Sequence, residues 1–349
     1  MAVRPLPPED LDHVLHHTRE LWKEMRGQSI FISGGTGFFG MWLLESFVRA
    51  NDSLGLGARA VVLTRDPHAF AKKAPHLASR ADLEFIPGDV RTFAFPPGRF
   101  DYVIHAATEA SAKLNDEAPH EMLDAILGGT RRVLDFAAQC EVKKLLLTSS
   151  GAVYGKQPSE ITHVSEDYFG APDPLLPSSA YGEGKRVSEH MCVVHARQHG
   201  YEAKIARCFA FVGPHLPLDT HFAIGNFIRD AMRGDPIKIG GDGTPTRSYL
   251  YAADLAVWLW TLLFKARPAR AYNVGSNESV SIAELAEIVK TATDTSSAVR
   301  IAGVTKSGQP ISRYVPNTDR ARAELALVVH TPLPESIIRT ATWHKSFSI

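Results

Sequence analysis

The chain has 349 residues, enough to bury a large core, and its 38 Lys and Arg residues balance its 38 Asp and Glu residues. A chain without net charge has no overall field that attracts nucleic acid or an anionic membrane, so we expect neither partner. The three cysteines, Cys140, Cys192 and Cys208, are not spaced like metal ligands, and we expect no metal site. The longest strongly apolar run, Leu255 to Phe264, is too short to cross a bilayer, and no signal-peptide core precedes it. We therefore expect a soluble, cytoplasmic protein.

The order of apolar segments predicts the fold class. Residues 1–27 combine a Pro-rich start with apolar residues at helical spacing, which predicts an N-terminal helical extension. From residue 28 to 207, apolar strands alternate with amphipathic helices, a pattern typical of a parallel sheet with helices on both faces. After the first strand at Ile30 to Ser33, the predicted strands are 58–64, 83–87, 101–105, 143–148 and 203–207, and long helices are predicted at 121–140 and 180–199.

Beyond residue 207 the segments are shorter and are punctuated by proline and glycine. Residues 208–349 therefore predict a second, smaller lobe, with an approximate boundary that the chain can cross again. Its predicted helices are near 221–234, 252–266, 281–293 and 333–346. The prediction is an α/β protein, a Rossmann-like doubly wound parallel sheet with a smaller C-terminal α/β lobe.

A glycine-rich turn follows the first strand. The glycines have the spacing Gly34-x-x-Gly37-x-x-Gly40, and an amphipathic segment begins at once. Strand, glycine turn and helix, in that order, are what a dinucleotide site requires. We assign the tight turn to Gly34, close approach of backbone N–H groups to a pyrophosphate to Gly37, and close packing of helix on strand to Gly40. Three neighbours complete this predicted cofactor site: Thr36, Phe38 and Phe39.

The residues that end the strands are further candidates, because ligands of a doubly wound sheet lie beyond the carboxyl ends of its strands. The second strand ends in Thr64 and Arg65, where an NAD site would place an acid for the ribose 2′-hydroxyl. A guanidinium suits a 2′-phosphate and can also cover the adenine. This favours NADP over NAD, although Asp66 could still turn inward. The remaining predicted cofactor contacts are Asp89, as acceptor for the adenine amine, with Val90, Ala106 and Ala107.

A tyrosine and a lysine open the helix that follows the serine-rich end of the fifth strand. Tyr181 and Lys185 are four residues apart and so share one helix face. A phenol with its ordinary pKa near 10 is a poor base at neutral pH, but a nearby ammonium and the nicotinamide charge favour the phenolate. A serine hydroxyl from a neighbouring strand end can hold the reacting oxygen. Alone, Tyr-x-x-x-Lys would indicate an exposed helix face, whereas beside a nucleotide site it predicts catalysis.

These residues together resemble the extended short-chain dehydrogenase/reductases, and among them the NAD(P)-dependent epimerase/dehydratases that act on nucleotide-sugars. The resemblance spans about residues 28–345. It implies that the cofactor binds at the glycine turn and that Tyr181 transfers the proton. It further implies that Lys185 lowers the pKa of that tyrosine and holds the nicotinamide ribose, while Ser150 hydrogen-bonds the reacting sugar oxygen.

The resemblance also implies a nucleotide-diphosphate sugar as substrate, bound by the C-terminal lobe. There Asn226, Arg247 and Arg313 match residues that contact the diphosphate. Two further predicted substrate contacts are Glu109 and Ser149. Relatives commonly dimerise through two helices, which makes a homodimer through segments 121–140 and 180–199 the expected assembly.

At two positions the chain has small residues where some members of this family have acidic ones. The 4,6-dehydratases place acidic residues just after the catalytic hydroxyl and the UDP-glucuronate decarboxylases place a Glu there, but here the positions hold Gly151 and Ala152. The prediction is therefore hydride transfer at sugar C4, by a 4-epimerase or a 4-keto-reductase, with Arg65 favouring the reductase. One alternative is a dehydratase or decarboxylase that takes its acid from elsewhere, such as Glu109 or His221. Another is a non-catalytic dinucleotide-sensing protein, which the complete Ser–Tyr–Lys set disfavours.

Overall fold

A computed structural model describes residues 3–108, 112–220, 222–304, 308 and 310–345 of the protein. Two candidate acids of the sequence analysis, Glu109 and His221, lie outside the described residues. The chain forms two compact units. The first consists of Met1–Gly155, Ala171–Arg207 and Ala256–Tyr272, and the second of Lys156–Gly170, Cys208–Leu255 and Asn273–Ile349.

The strands follow one another in short segments separated by helices. In chain order they are β1 Ser29–Ser33, β2 Arg59–Thr64, β3 Leu83–Pro87, β4 Tyr102–His105, β5 Lys144–Ser150, β6 Glu202–Cys208, β7 Phe211–Val212, β8 Ile237–Ile239, β9 Thr246–Arg247, β10 Leu250–Tyr251, β11 Ala271–Val274, β12 Val280–Ser281, β13 Val299–Ile301 and β14 Arg313–Tyr314. Seven of them form one sheet in the order β11-β6-β5-β4-β1-β2-β3. The strands β3, β2, β1, β4 and β5 pair in parallel. Strand β1 lies between β2 and β4. The strands after it are therefore added first on one side of β1 and then on the other, as in a doubly wound sheet.

The helices connect these strands. In chain order they are α1 Pro8–Thr18, α2 Phe38–Leu54, α3 Pro67–Lys73, α4 Pro75–Ala78, α5 Ala112–Glu117, α6 Pro119–Gln139, α7 Ala180–His199, α8 Ala223–Arg233, α9 Ala252–Lys265, α10 Ile282–Ala292, α11 Asp319–Leu325 and α12 Leu333–Lys345. Helices α6 and α7 pack side by side in the first unit, and α8, α10 and α12 pack together in the second. Within the described ranges, no helix combines the length and the apolarity needed to cross a bilayer.

An aromatic cluster forms much of the core of the first unit. Phe31 of β1 is fully buried, and its ring centroid lies 4.5 Å from that of Phe136 on α6 and 5.4 Å from that of Phe93. Strands covered on both faces need apolar residues at consecutive positions, which explains why Ile30, Phe31 and Ile32 are all buried. The core thus fixes β1, the strand that carries the glycine turn.

The N-terminal extension packs onto the first unit. Trp22 is fully buried, and its ring centroid lies 4.6 Å from that of Trp260 on α9 and 6.4 Å from that of Phe47 on α2. The backbone N–H of Leu6 donates to Glu45, also on α2, over 2.7 Å. The buried apolar residues of segment 3–25, among them Leu6 and Trp22, therefore belong to the core of this unit.

The predicted strands and long helices are found at their predicted places to within about two residues, and the fold class is confirmed. The two units consist of other residue ranges than the predicted domains. Residues Ala256–Tyr272, predicted in the C-terminal lobe, belong to the first unit, and Lys156–Gly170 belong to the second. The indole N–H of Trp260 donates to Ser46 over 2.9 Å, a contact across 214 residues that no local pattern reveals.

Candidate active site

Two close backbone contacts shape the glycine turn after β1. Gly34 has a φ of +78°, and a Cβ there would lie 2.5 Å from the carbonyl carbon of Ala106 at the end of β4. A Cβ on Gly40, in the first turn of α2, would lie 2.2 Å from the carbonyl carbon of Gly35. Any side chain at either position would collide with backbone, so the tight turn requires glycine at both.

The N-terminus of α2 faces the turn without a side-chain cap. Its N-cap residue is Gly37, which is exposed, and no side chain hydrogen-bonds the first turn from that position. The N–H groups of a first helical turn and the helix dipole make such an end an anion site. The residues present therefore fit a dinucleotide pyrophosphate. The neighbouring predicted contacts Thr36, Phe38 and Phe39 are half-buried around it.

The ends of β2 and β3 each carry an arginine and an aspartate. Thr64 is buried and Arg65 is exposed, while Asp66 accepts the N–H of Ala69 over 2.9 Å and so caps α3. Asp89 is bound by the guanidinium of Arg91, with two contacts of 2.8 and 2.9 Å. These hydrogen bonds, with a smaller contribution from Arg65, lower the pKa of Asp89 to about 2.

Val90 and the alanines after β4 are packing positions. Val90 lies against α6, where a Cβ on Gly129 would be 2.8 Å from its Cγ1. Ala106 and Ala107 are half-buried beside Gly34. They are small enough to leave backbone accessible at the sheet edge, as the cofactor prediction needs.

A buried polar chain lies under the turn. The Oγ of Ser33 is 2.7 Å from Nδ1 of His105, and Nε2 of that histidine is 3.3 Å from Oγ1 of Thr130, which in turn lies 2.9 Å from Oγ of Ser188. Burial, with a smaller contribution from Lys185, lowers the pKa of His105 to about 3. The histidine is therefore neutral at physiological pH and links β1, β4, α6 and α7.

Lys185 is held close to Tyr181 on α7. Its side chain is 3% exposed, and its ammonium donates to Oγ1 of Thr108 over 2.7 Å and to the carbonyl of Thr148 over 2.8 Å. The same ammonium lies 5.9 Å from the centroid of the Tyr181 ring. The structure thus places the lysine charge beside the phenol, one helical turn away, as the spacing predicts.

The serines at the end of β5 differ in their surroundings. Ser150 caps a short 3₁₀ turn, Gly151–Tyr154, by accepting the N–H of Ala152 over 3.1 Å. Ser149 is buried, and its hydroxyl donates to Glu189 on α7 over 2.5 Å. Because that hydroxyl proton is given to a carboxylate, the predicted role of Ser149 as a direct substrate contact has no support from its geometry, and it stays a prediction.

The second unit carries the arginines predicted to bind a diphosphate. Arg247 lies on β9 and Arg313 on β14, and the two strands pair in parallel with Thr246 opposite Arg313. The Nε of Arg313 is buried without a hydrogen-bond partner among the described residues. Burial lowers the pKa of Arg247, whose Nη1 donates to the carbonyls of Thr246 and Ser312. Two half-buried guanidinium groups for which no described carboxylate forms an ion pair suit an anionic ligand.

The third predicted diphosphate contact lies on a helix of the same unit. Asn226 is half-buried on α8, and its side-chain carbonyl accepts from Nη1 of Arg229 over 3.0 Å. Its role towards a ligand stays a prediction. Among the described residues, no group of three His, Cys, Asp or Glu side chains could hold a metal ion.

Three side chains that support the site were not predicted: Thr108, Asn115 and Glu189. Asn115 of α5 accepts the N–H of Tyr181 over 3.0 Å and donates to the carbonyl of Ser178 over 2.8 Å, which fixes the start of α7. Its partner is 66 residues away, so the sequence carries no signal for it. Glu189 follows Lys185 by four residues, and this spacing on the same helix face was a usable signal.

Comparison with known proteins gives one family. The sequence profile of the NAD dependent epimerase/dehydratase family matches residues 30–275. UDP-glucuronic acid decarboxylase 6 of Arabidopsis thaliana is 30% identical over 286 residues, which cover 81% of this chain and 78% of that protein.

Solved structures agree with this result. The UDP-glucose 4-epimerase of Thermus thermophilus, solved in complex with NAD, is 25% identical, with a TM-score of 0.75 over 91% of this chain and 99% of the other. A dTDP-glucose 4,6-dehydratase from Streptomyces venezuelae, at 21% identity, shares the fold, with a TM-score of 0.78 over 91% of this chain and 97% of the other.

The predicted resemblance is thereby confirmed at the level of the family. The family's description includes NAD as the cofactor, and the names of the relatives give no support for a preference for NADP. Because the relatives include a decarboxylase, a 4-epimerase and a 4,6-dehydratase, they do not decide between the possible reactions. With its seven-stranded sheet, its glycine turn and its paired Tyr181 and Lys185, the chain belongs to the NAD dependent epimerase/dehydratase family of extended short-chain dehydrogenase/reductases.

Proposed function

We propose that the protein is an enzyme that oxidises and reduces C4 of a nucleotide-diphosphate hexose, as a 4-epimerase or a 4-keto-reductase. The observation that carries this proposal is the buried ammonium of Lys185, held by Thr108 and Thr148 at 5.9 Å from the Tyr181 ring. A buried ammonium is costly unless hydrogen bonds or an opposite charge compensate it, and in the proposed reaction the phenolate of Tyr181 is that opposite charge.

The chain's own residues handle the proton. Tyr181 takes the proton of the sugar hydroxyl when the carbon is oxidised and returns it when the carbon is reduced. The hydroxyl of Ser150 holds the reacting oxygen in line with the phenol. Lys185 and the end of α2 would hold the dinucleotide, whose nicotinamide, when bound, accepts and returns a hydride.

The second unit supplies the charge for the substrate phosphates. The Nε of Arg313, which has no hydrogen-bond partner in the described part of the chain, and the half-buried guanidinium of Arg247 support an anion site on the β9–β14 ribbon. A guanidinium binds phosphate oxygens through two parallel hydrogen bonds. Two such groups bind a diphosphate locally even in a chain whose net charge is zero. A nucleoside diphosphate fits this chemistry.

For the cofactor we propose NADP in preference to NAD. An NAD site would place a free carboxylate at the end of β2. Here that position is Thr64, followed by the exposed Arg65, while Asp66 is engaged in capping α3. The charge at this edge therefore matches a 2′-phosphate.

The names of the relatives favour a second candidate, decarboxylation of a UDP-uronic acid. It shares the oxidation at C4 and differs in the loss of a carboxyl group from the neighbouring carbon. Against it, the two positions after Ser150 are Gly151 and Ala152, which have no titratable side chain. Release of carbon dioxide from UDP-glucuronic acid by the purified protein would establish this candidate over the first.

The test is turnover of a panel of UDP-, dTDP-, CDP- and GDP-hexoses, with and without NADPH, followed by chromatography of the products. Tyr181→Phe should lower kcat by on the order of 10³-fold and leave NADPH affinity within about twofold, because only the proton-transfer group is lost. Tyr168→Phe, which removes a phenol of the second unit, serves as the matched control. Full activity of Tyr181→Phe would refute the proposal.

A further inference from the structure

A carboxylate outside the Ser–Tyr–Lys set lies at the centre of a buried network. Glu189 accepts the hydroxyl of Ser149 over 2.5 Å and is bound by Arg207, with Nε to Oε1 at 3.0 Å and Nη2 to Oε2 at 2.7 Å. Nη1 of Arg207 donates to the phenol of Tyr154 over 2.9 Å. All four residues lie in the first unit, and Ser149, Tyr154 and Glu189 are buried.

This network joins the two elements that carry the catalytic groups. Tyr181, Lys185 and Glu189 are spaced i, i+4 and i+8 on α7, so they share one face over two turns. The ammonium of Lys185 binds the carbonyl of Thr148, and the carboxylate of Glu189 binds the hydroxyl of Ser149. Two successive turns of the helix thus hold two successive residues of β5, directly before Ser150.

The same network holds the other end of the serine turn. Ser150 begins the 3₁₀ turn that ends at Tyr154, and Arg207 fixes the phenol of Tyr154 through Nη1 and by lying 4.8 Å from the centroid of its ring. Glu189 therefore restrains residues on both sides of Ser150, directly through Ser149 and indirectly through Arg207. A buried ion pair contributes little net stability, because desolvation of the two charges offsets their attraction. Its value in this place is geometric.

We propose that Glu189 is a positioning residue that sets α7 against the end of β5 and so places the phenol of Tyr181 opposite the hydroxyl of Ser150. This inference rests on the proposed function, since it assigns the geometry on which that reaction depends. Glu189 does not touch the substrate, and Ser149 acts as its anchor. A displacement of about 1 Å between reacting groups costs up to 100-fold in rate, so a small shift of α7 has a large kinetic effect.

The test compares Ser149→Ala, Glu189→Gln and the double variant, in the full-length protein, with the nucleotide-sugar of the panel that the wild type turns over fastest. We expect each single variant to lower kcat by on the order of 10- to 100-fold, while KM and the Kd for NADPH, measured by fluorescence titration, stay within about twofold. Because both side chains belong to one hydrogen bond, the double variant should be no slower than the slower single variant.

The control is Glu202→Gln, which removes an acid that pairs with the buried Lys204 on the same strand as Arg207. It should lower the melting temperature and leave kcat unchanged, which separates loss of stability from loss of geometry. A kcat of Glu189→Gln within twofold of wild type would overturn the proposal. A higher KM for Ser149→Ala with additive effects in the double variant would also overturn it, because Ser149 would then touch the substrate.

The two proposals fail separately. If Tyr181→Phe is inactive and Ser149→Ala has wild-type kcat, the proposed function stands and the positioning role fails. If Tyr181→Phe remains active, the proposed function itself fails. Ser149→Ala keeps the Glu189–Arg207 pair, so it provides a folded variant for the test even if Glu189→Gln does not fold.

Discussion

Substitution of Arg65 tests whether the protein prefers NADP to NAD. This arginine follows β2 at an exposed position and lies near enough to Asp89 to contribute to that residue's lowered pKa. If its guanidinium binds the 2′-phosphate, Arg65→Ala should weaken NADPH binding by about 10- to 100-fold, the equivalent of about 1.5–3 kcal/mol for a charged hydrogen bond, and leave NADH binding nearly unchanged. Fluorescence titration with both cofactors measures this.

Arg99→Ala, a change at another exposed arginine of the first unit, is the control and should alter neither affinity. An equal loss of NADPH and NADH affinity in Arg65→Ala would mean that the guanidinium covers the adenine instead.

The buried imidazole of His105 makes the stability of the protein depend on pH. The folded state keeps this imidazole neutral down to about pH 3, whereas the unfolded chain protonates it below about pH 6.5. The unfolded state therefore binds more protons between these values, and stability falls as the pH drops through that window. From about pH 7 to pH 5 the linkage amounts to about 2 kcal/mol. Between pH 7 and pH 5 the free energy of unfolding of the wild type should therefore fall by about 2 kcal/mol more than that of His105→Gln. Urea unfolding at the two pH values measures this difference.

His68→Gln, at an exposed histidine, should lose as much stability as wild type over this interval. If His105→Gln also showed the same pH dependence as wild type, the imidazole would have to be protonated in the folded state, contrary to its burial.

At the scale of elements, the junction of β1 and α2 depends on Gly40. A Cβ added there would lie 2.2 Å from the backbone of Gly35, and neither segment can move aside without shifting α2. Gly40→Ala should therefore destabilise the protein by at least about 1–3 kcal/mol and weaken NADPH binding at least tenfold, as judged by urea unfolding and titration.

Gly240→Ala is the matched control, because a Cβ at Gly240 would meet no heavy atom within 4 Å. A variant Gly40→Ala with wild-type cofactor affinity would show that the turn does not hold the dinucleotide.

Local patterns were sufficient to predict the elements that carry the candidate site. The glycine spacing, the strand ends and the Tyr181–Lys185 spacing are all contained within a few residues, and each is found in its predicted element. What the sequence did not reveal depends on distant partners. Ser149 was predicted as a substrate contact, and no local pattern reveals that its hydroxyl binds Glu189, 40 residues away. A local pattern identifies a polar side chain at a strand end and leaves its partner undetermined.

At the scale of the whole molecule, the N-terminal extension is part of the core. Trp22 is fully buried against Phe47, Trp260 and Phe264. Trp22→Ala should therefore lower the free energy of unfolding by about 3–5 kcal/mol, since it leaves a large cavity among aromatic rings. Urea unfolding measures the loss, and kcat should stay unchanged at temperatures where the variant is folded.

The control is Leu175→Ala, which removes a side chain that is 88% exposed and should change the unfolding free energy by less than about 0.5 kcal/mol. A Trp22→Ala variant as stable as wild type would show that the extension does not dock in solution.

The homodimer through α6 and α7 also belongs to this scale and stays a prediction. Both helices are present, and Val187 and Val194 of α7 are exposed in the single chain. Sedimentation of the purified protein decides its oligomeric state.

The chain passes from one unit to the other after Gly155, Gly170, Arg207, Leu255 and Tyr272. Neither unit is therefore encoded by one uninterrupted stretch of the gene. Recombination that exchanges a whole unit with another family member needs several breakpoints, and a single crossover produces a hybrid in which at least one unit combines segments of two parents. We therefore expect that a change of substrate sugar during evolution arises from point substitutions within both units and not from the exchange of a whole unit.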